Sequence, residues 1–343
     1  NKAKIIGRRF KIVHVYTSER KYFEVTTFRS DVKKKTNEKK FKKIQGMIKR
    51  DNVYGSISQD AFRRDFTVNS LYLDLDSEIL HDYVNGVDDI KNGKLRLIKK
   101  PSISYQEDPV RMLRALRFES KLGLKLTDEC KQPITEMAHM INNVSPFRLF
   151  DEVLKIMHSG SAVIGYKKLK EYNLFKYLFP YTSKILSENK IYNDFFIAAL
   201  NNTDTRINDG LHVNPSFIYA VFLWPYFQEL SEKYSDDFSL GIDRAFKKVM
   251  QSQGEYIAVP DFFQSTIFTI WSLQSSFLNL SNRNVQYLTE ISKFRAAYDF
   301  FYIRSQIDHE LKPCADKWYE IQKNVKSKKR ERGKKYYGKR KNR

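Results

Sequence analysis

Cysteine is nearly missing from this chain of 343 residues, with only Cys130 and Cys314 present. Two isolated thiols exclude a disulfide framework, and no Cys/His spacing suits a zinc site. The six histidines are scattered. No long apolar run occurs, which excludes an obvious membrane-spanning helix, and no basic amphipathic anchor or signal peptide stands out. A reducing cytoplasm is the expected address, without membrane association. Clear internal repeats are also missing. Residue 1 is Asn rather than Met, so the chain is expected to begin partway through a longer protein or after processing.

Acidic residues are comparatively few. Lys and Arg total 61 against 40 Asp and Glu, a formal charge of +21. An excess of that size points to a polyanionic partner, nucleic acid first, because each phosphate neutralised by Lys or Arg releases counterions. Hydrophobic residues at 41% and aromatics at 14% supply enough apolar surface for real cores. The length exceeds one compact core, so two or more domains are expected.

The opening stretch reads as strands. Phe10 to Tyr16 and Tyr22 to Phe28 are rich in β-branched and aromatic residues, and Ser18-Glu19-Arg20 suits a hairpin link. Residues 31–50 are Lys-rich and read as a mobile loop. Leu71 to Asp76 and Ile79 to Tyr83 read as further strands turning near Asp76-Ser77-Glu78, and Leu95 to Ile98 as a short last one. From Asp108 onward the spacing is helical, with Val110, Leu113, Leu116 and Phe118 set among arginines. Arg148 to His158, Ser216 to Trp224 and Lys293 to Ile303 also read as helices. Lys326 to Arg343 is Lys/Arg-dense and cannot bury a core, so it reads as a solvated tail. The expected fold class is α+β: a mixed β-sheet head over residues 1–104, reading helices over 105–160, a helical body over 161–322 and a basic tail over 323–343.

Two segments concentrate chemistry. In Glu107-Asp108-Pro109-Val110-Arg111, Asp108 and Arg111 are three residues apart, so on a helix they share a face. Asp offers only acceptors and Arg only donors. Together they complement the amino donor and ring-nitrogen acceptor of adenine, and equally of cytosine, while guanine and uracil present the reverse. Taken alone, the pair reads more readily as a surface ion pair. Arg114 and Arg117 continue at three-residue steps, and with Arg64 they are candidates to clamp a triphosphate, since Arg meets phosphate bidentately. Taken alone, they are a solvated stripe. In Arg63-Arg64-Asp65-Phe66-Thr67-Val68-Asn69-Ser70-Leu71, Asp65 is placed to hold Mg²⁺ or orient a ribose, and Asn69 to bond the same sugar. The plainer alternative is that Asp65 caps a turn. Glu24, between Phe23 and Val25, is the other candidate carboxylate, although a lone strand Glu usually faces solvent.

These segments, with Ile5 to Val15, closely resemble the nucleotidyltransferases that comprise bacterial poly(A) polymerases and the CCA-adding enzymes. Arg63 to Leu71 is similar to the group's Arg-Arg-Asp-Phe-Thr-x-Asn-Ala motif, with Ser70 in place of Ala, and Glu107 to Arg111 to its Glu-Asp-x-x-Arg motif. Val144 to Glu152 looks like the start of the neck helix that follows. Gly7-Arg8-Arg9-Phe10, then Ile12, His14 and Val15, resembles the signature that separates the polymerases from the CCA-adding enzymes. Asn202 to Ile207, Val213-Asn214-Pro215 and Lys293 to Asp299 resemble the enterobacterial-type polymerases, and the basic tail fits that type. One departure is plain: the group's Gly-Gly-x-Val-Arg-Asp loop and Asp-x-Asp pair do not occur before Gly7, so the resemblance implies that they lie upstream.

The resemblance implies template-independent transfer of AMP from ATP to RNA 3′ ends, promoting RNA decay, by two-metal phosphoryl transfer with Mg²⁺. Asp108 and Arg111 would then read the base, Arg114 would contact the nucleotide, and either Asp65 or Glu24 would be the third carboxylate near the metals. The expected partners are RNA 3′ ends, ATP and, at family level, RNA-decay machinery; a monomer is the default. Two alternatives stand beside this one: a CCA-adding tRNA nucleotidyltransferase, and a catalytically dead RNA-binding relative.

Overall fold

The structure, a computed structural model, describes residues 2–7, 11–18, 21–30, 53–234 and 238–323. The Lys-rich stretch 31–50, the tail 326–343, Arg8-Arg9-Phe10 and the link Glu19-Arg20 lie outside the described residues. Contacts divide the chain into two compact units, Asn1–Val144 and Ser145–Arg343. The stretch 105–160 therefore contributes helices to both.

In the first unit, β1 (Lys2–Ile6), β2 (Ile12–Ser18) and β3 (Lys21–Val25) form an antiparallel sheet in which His14 faces Glu24 and Val15 faces Phe23. The alternation of β-branched and aromatic residues produces the expected hairpin. β4 (Arg29–Ser30) pairs antiparallel with β5 (Val53–Tyr54). Next comes α1 (Ile57–Arg63), started by a capping box: the Ser56 hydroxyl accepts from Gln59 N–H, and the Gln59 side chain accepts from Ser56 N–H.

The pair β6 (Leu71–Leu73) and β7 (Leu80–Asp82) is shorter than the sequence suggests. Asp74 ends β6 early, because its Oδ1 accepts from Asp76 N–H at 3.0 Å and so offers the backbone a turn in place of the ladder. Asp82 then gathers the amides of Val84, Gly86 and Val87 at 3.1, 2.9 and 2.9 Å. That fixes the entry to α2 (Gly86–Lys91), with Asn85 left-handed at φ 61°. Gly86 packs so close to the Thr67 carbonyl that a Cβ there would run into it.

β8 (Lys94–Leu95) runs parallel to β9 (Lys125–Leu126), and Leu97 bridges to Phe66. The head's strand pairing is thus mixed, but spread over several small sheets. Three helices complete the unit: α3 (Pro101–Glu107), α4 (Val110–Leu122) and α5 (Asp128–Met137). Val110, Leu113 and Leu116 of α4 are fully buried, as their three-residue spacing requires. Gly123 ends α4 at φ 68°.

The second unit is helical: α6 (Pro146–Met157), α7 (Ala162–Glu171), α8 (Phe175–Leu178), α9 (Pro180–Glu188), α10 (Ile191–Asn208), α11 (Pro215–Lys233), α12 (Phe238–Gly254), α13 (Asp261–Ser272), α14 (Asn282–Glu290) and α15 (Phe294–Ser305). Its centre is α11, where eleven consecutive residues from Phe217 to Phe227 are buried. A helix apolar all round belongs in a core. The Phe222 ring meets those of Phe179 and Phe196 at 5.2 Å and Phe175 at 5.8 Å. A further cluster gathers Phe277, Phe294, Phe301 and Trp318, with Trp318 Nε1–H donating to Phe277 O at 2.7 Å. Among the described residues no helix is long and apolar enough to cross a membrane.

Gly86 gives a direct test. Gly86→Ala forces a methyl against the Thr67 carbonyl, and overpacking of this kind costs about 1–3 kcal/mol. A free energy of unfolding from denaturant titration lower than wild type by that amount is the expected result; an unchanged value would show that the contact yields.

Candidate nucleotide site

Asp60 and Asp65 flank Arg63-Arg64 in the chain, and each holds guanidinium. Asp60, with its side chain only 4% exposed, takes Arg63 Nε on Oδ1 at 3.0 Å and Arg64 Nε and Nη2 on Oδ2 at 3.0 Å. The Tyr72 hydroxyl donates to Oδ2 at 2.7 Å and the Arg29 amide to Oδ1 at 3.1 Å. Burial pushes the Asp60 pKa up, but the donors from Tyr72, Arg29 and Arg64 outweigh it and leave the carboxyl below its ordinary value of 3.8. Burial and the Asp60 charge together push the Tyr72 phenol to about 12. Two guanidiniums on one carboxylate leave a net positive centre, which suits an anion.

Asp65 begins the extended segment after α1. Its Oδ1 accepts from Phe66 N–H at 2.9 Å and from Asn69 Nδ2 at 3.4 Å, and its Oδ2 takes Arg114 Nε at 2.5 Å. The last contact spans 49 positions and ties the two motif segments together. Apolar packing runs beside it: the Phe66 and Phe118 rings meet edge to face at 5.4 Å. Arg114 and Arg117 lie over the Phe118 ring at 5.4 and 4.4 Å. Arg64 Nη1 donates to Asn69 O at 3.2 Å. Arg64, Asp65, Asn69, Arg114 and Arg117 thus form one connected group. Ser70, where the motif has Ala, is fully buried, and its hydroxyl is satisfied by Phe66 O at 3.2 Å.

The expectation that Asp108 and Arg111 share a helix face needs correction. Asp108 is extended at φ −151°, ψ 95° and closes α3, while Pro109 caps α4. Proline has no N–H and disfavours the helical region for the residue before it, so the two helices break at Asp108. The carboxylate instead accepts from Val110 N–H at 3.3 Å. Arg111 turns back along α3: its Nη1 reaches Ser104 O and Oγ at 3.1 and 2.9 Å and Glu107 Oε2 at 3.2 Å. All three bonds use Nη1, so the guanidinium is anchored at one nitrogen.

Glu24 is placed elsewhere. It sits on exposed β3, its side chain 58% exposed, with Oε1 3.4 Å from His14 Nε2. Among the described residues no three His, Cys, Asp or Glu side chains are arranged to hold a metal ion. Asp60, the most engaged carboxylate of the group, escapes sequence reasoning because Arg29 and Tyr72 are remote from it in the chain; the only local signal is its spacing from Arg63 and Arg64.

Asp60 also predicts a pH effect. A carboxyl whose folded pKa is depressed contributes stability above its unfolded value of 3.8, and that contribution is lost as pH falls through the lower folded value. Asp60→Asn should destabilise the chain by about 3 kcal/mol near neutral pH and by progressively less below pH of about 4. Unfolding curves for both proteins across that range check this; a constant difference would mean that the charge does not matter.

Comparison with known proteins supplies independent information. The family described as "Poly A polymerase head domain" matches residues 1–96. "Probable RNA and SrmB- binding site of polymerase A" matches 123–186, and "Polymerase A arginine-rich C-terminus" matches 239–343. The chain is 39% identical over 327 residues to a poly(A) polymerase I of Haemophilus influenzae, covering 93% of this chain and 72% of that one. It is 37% identical over 331 residues to a poly(A) polymerase I of Escherichia coli O157:H7, covering 93% and 70%. A CCA-adding enzyme of Bacillus pumilus is 31% identical over 156 residues, 46% of this chain and 37% of that one. Among solved structures, the Bacillus stearothermophilus CCA-adding enzyme in complex with CTP has a TM-score of 0.53 at 18% identity, covering 94% of this chain and 68% of that one. The last is a likeness of fold.

Proposed function

The chain belongs to the bacterial poly(A) polymerase I family, and from that premise we propose that it lengthens RNA 3′ ends with AMP taken from ATP, without a template, in the cytoplasm. The observation that carries the site assignment is the Asp65–Arg114 contact at 2.5 Å, which joins the phosphate-binding and base-reading segments within one unit.

Each residue has a role on this reading. Arg64 and Arg114 meet the triphosphate, and both are preorganised, since Asp60 and Asp65 fix their orientation before ATP arrives. Asn69, held by Asp65, is offered to the ribose. Asp108 accepts from the adenine amino group. Arg111, anchored through Nη1, offers its remaining N–H groups to the ring nitrogen. Arg117, stacked on Phe118, adds positive charge nearby.

Enzymes of this family use divalent metal ions with ATP, and Mg²⁺ is the ion we propose. When bound, it supplies charge neutralisation on the phosphates and activation of the attacking hydroxyl. The described residues do not make its site. Asp65 already answers an arginine and Glu24 a histidine. Asp65 is the stronger candidate for a carboxylate near the phosphates, because among the described residues Glu24 shares no partner with that group.

The second family-level reading, CCA addition, is supported by the likeness of fold and by a base-reading pair that accepts cytosine as well as adenine. The identities favour the polymerase. Incubation with unstructured RNA, and with tRNA lacking its CCA end, separates the two. AMP tails on unstructured RNA are expected; CMP incorporation would overturn the choice. In the active protein, Asp108→Ala or Arg111→Ala should raise the KM for ATP at least tenfold while changing the RNA Kd less than threefold, since each loses about 1.5–3 kcal/mol of charged hydrogen bonding to the base. Unchanged ATP kinetics would remove the base-reading role.

A further inference from the structure

Three stretches outside the nucleotide site share the polymerase-type pattern: Asn202 to Ile207, Val213 to Pro215, and Lys293 to Asp299. The structure gathers them. The end of α10, the start of α11 and the first turns of α15 line two adjoining cavities of about 470 and 220 Å³ within the second unit. Asn202, Arg295 and Asp299 border both. These cavities lie outside residues 123–186, which match the RNA-binding family.

The larger cavity is lined by Tyr298, Tyr302 and Tyr319, together with Asn201, Asn202 and Gln306. The tyrosines form a ladder, with Tyr298 and Tyr302 ring centres 6.0 Å apart and Tyr302 and Tyr319 6.2 Å apart. Tyr319 is 42% exposed, so the ladder runs from the core to the surface. Carboxamides supply both donors and acceptors for a base edge. Arg206, His212 and Lys293 line the smaller cavity. Arg295 is tethered to Asp299 at 2.9 Å and to Gln322, so an ion pair stands where the cavities meet, and among the described residues the unpaired positive charge nearby comes from Arg206 and Lys293 of the smaller cavity. Tyr298 is only 2% exposed, and its hydroxyl has no hydrogen-bond partner among the described residues. A buried hydroxyl left so costs stability until an acceptor is supplied.

Aromatic faces, carboxamides and flanking cations are the equipment of a single-stranded nucleic-acid subsite. We propose that this groove holds a nucleotide of single-stranded RNA, with the base in the tyrosine-lined cavity and the phosphate toward Arg206 and Lys293. The proposal rests on the polymerase reading, since it takes RNA as the polyanion, but it concerns a site separate from the one that binds ATP. Stacking tolerates any base, so the subsite grips a strand by its having bases, not by which bases they are.

The test measures binding of a fluorescent 15-nucleotide oligo(A), and of an abasic oligomer of equal length, to the whole chain without ATP. Wild type is expected to prefer oligo(A). Tyr302→Ala should weaken oligo(A) binding about tenfold and leave abasic binding unchanged. Tyr298→Phe keeps the ring in the core, so its melting temperature should not fall, while its oligo(A) affinity drops severalfold. If wild type binds oligo(A) and both variants bind it as tightly, the subsite is refuted and the polymerase reading stands. If wild type binds no RNA, both fall. Equal losses for oligo(A) and abasic oligomer would also overturn the subsite, since they mean lost charge or fold instead of lost stacking.

Discussion

Asp65 and Arg114 come from stretches 49 residues apart and meet at 2.5 Å, each largely withdrawn from water. The Asp65 side chain is only 11% exposed, so removing Arg114 leaves a buried carboxylate without its charged partner. Their pairing therefore constrains everything attached to them. Asp65 orients Asn69 and receives the Phe66 amide. Arg114 lies on Phe118, whose ring packs on buried Phe66. One ion pair and one aromatic contact thus lock α4 against the turn after α1. Arg64 then inherits its place through Asn69 O and Asp60.

Charge balance around Asp60 explains how such a site stays receptive to an anion. A carboxylate carrying both Arg63 and Arg64 neutralises one of them and positions both. The donors Tyr72 and Arg29 keep it ionised, so the arrangement survives burial. On the proposed function, a triphosphate entering such a cluster would replace water around guanidiniums that are already aimed, and the reorganisation it would otherwise require would have been met in folding.

Much of this was legible in the chain. Alternating β-branched residues announced the β2–β3 hairpin, and the three-residue spacing of Val110, Leu113 and Leu116 announced α4. What escaped was set by distant partners. Asp60 sits in an unremarked helical stretch and becomes a hub only because Arg29 and Tyr72 fold onto it. Residue counting alone puts Asp108 on a helix face with Arg111, whereas Pro109 enforces the break. Glu24 shows a different limit: the sequence places a carboxylate between two apolar strand residues, but only the fold shows that all of β3 is exposed and that Glu24 lies opposite His14.

The fold is shared ground, so it does not separate the two activities in this wider group. The CTP-bound CCA-adding enzyme resembles this chain over 94% of its length at 18% identity, and an acceptor beside a donor suits cytosine as well as adenine. On the proposed function, discrimination would come from how the growing strand is held. An enzyme that finishes a folded tRNA can rely on the shape of its substrate. One that extends an unstructured tail meets a chain without shape, whose constant features are phosphates and base faces. The proposed subsite, a ladder of tyrosines beside cations built from the stretches that resemble the polymerases, would answer that requirement: it would recognise what every added nucleotide carries and be indifferent to the sequence that came before.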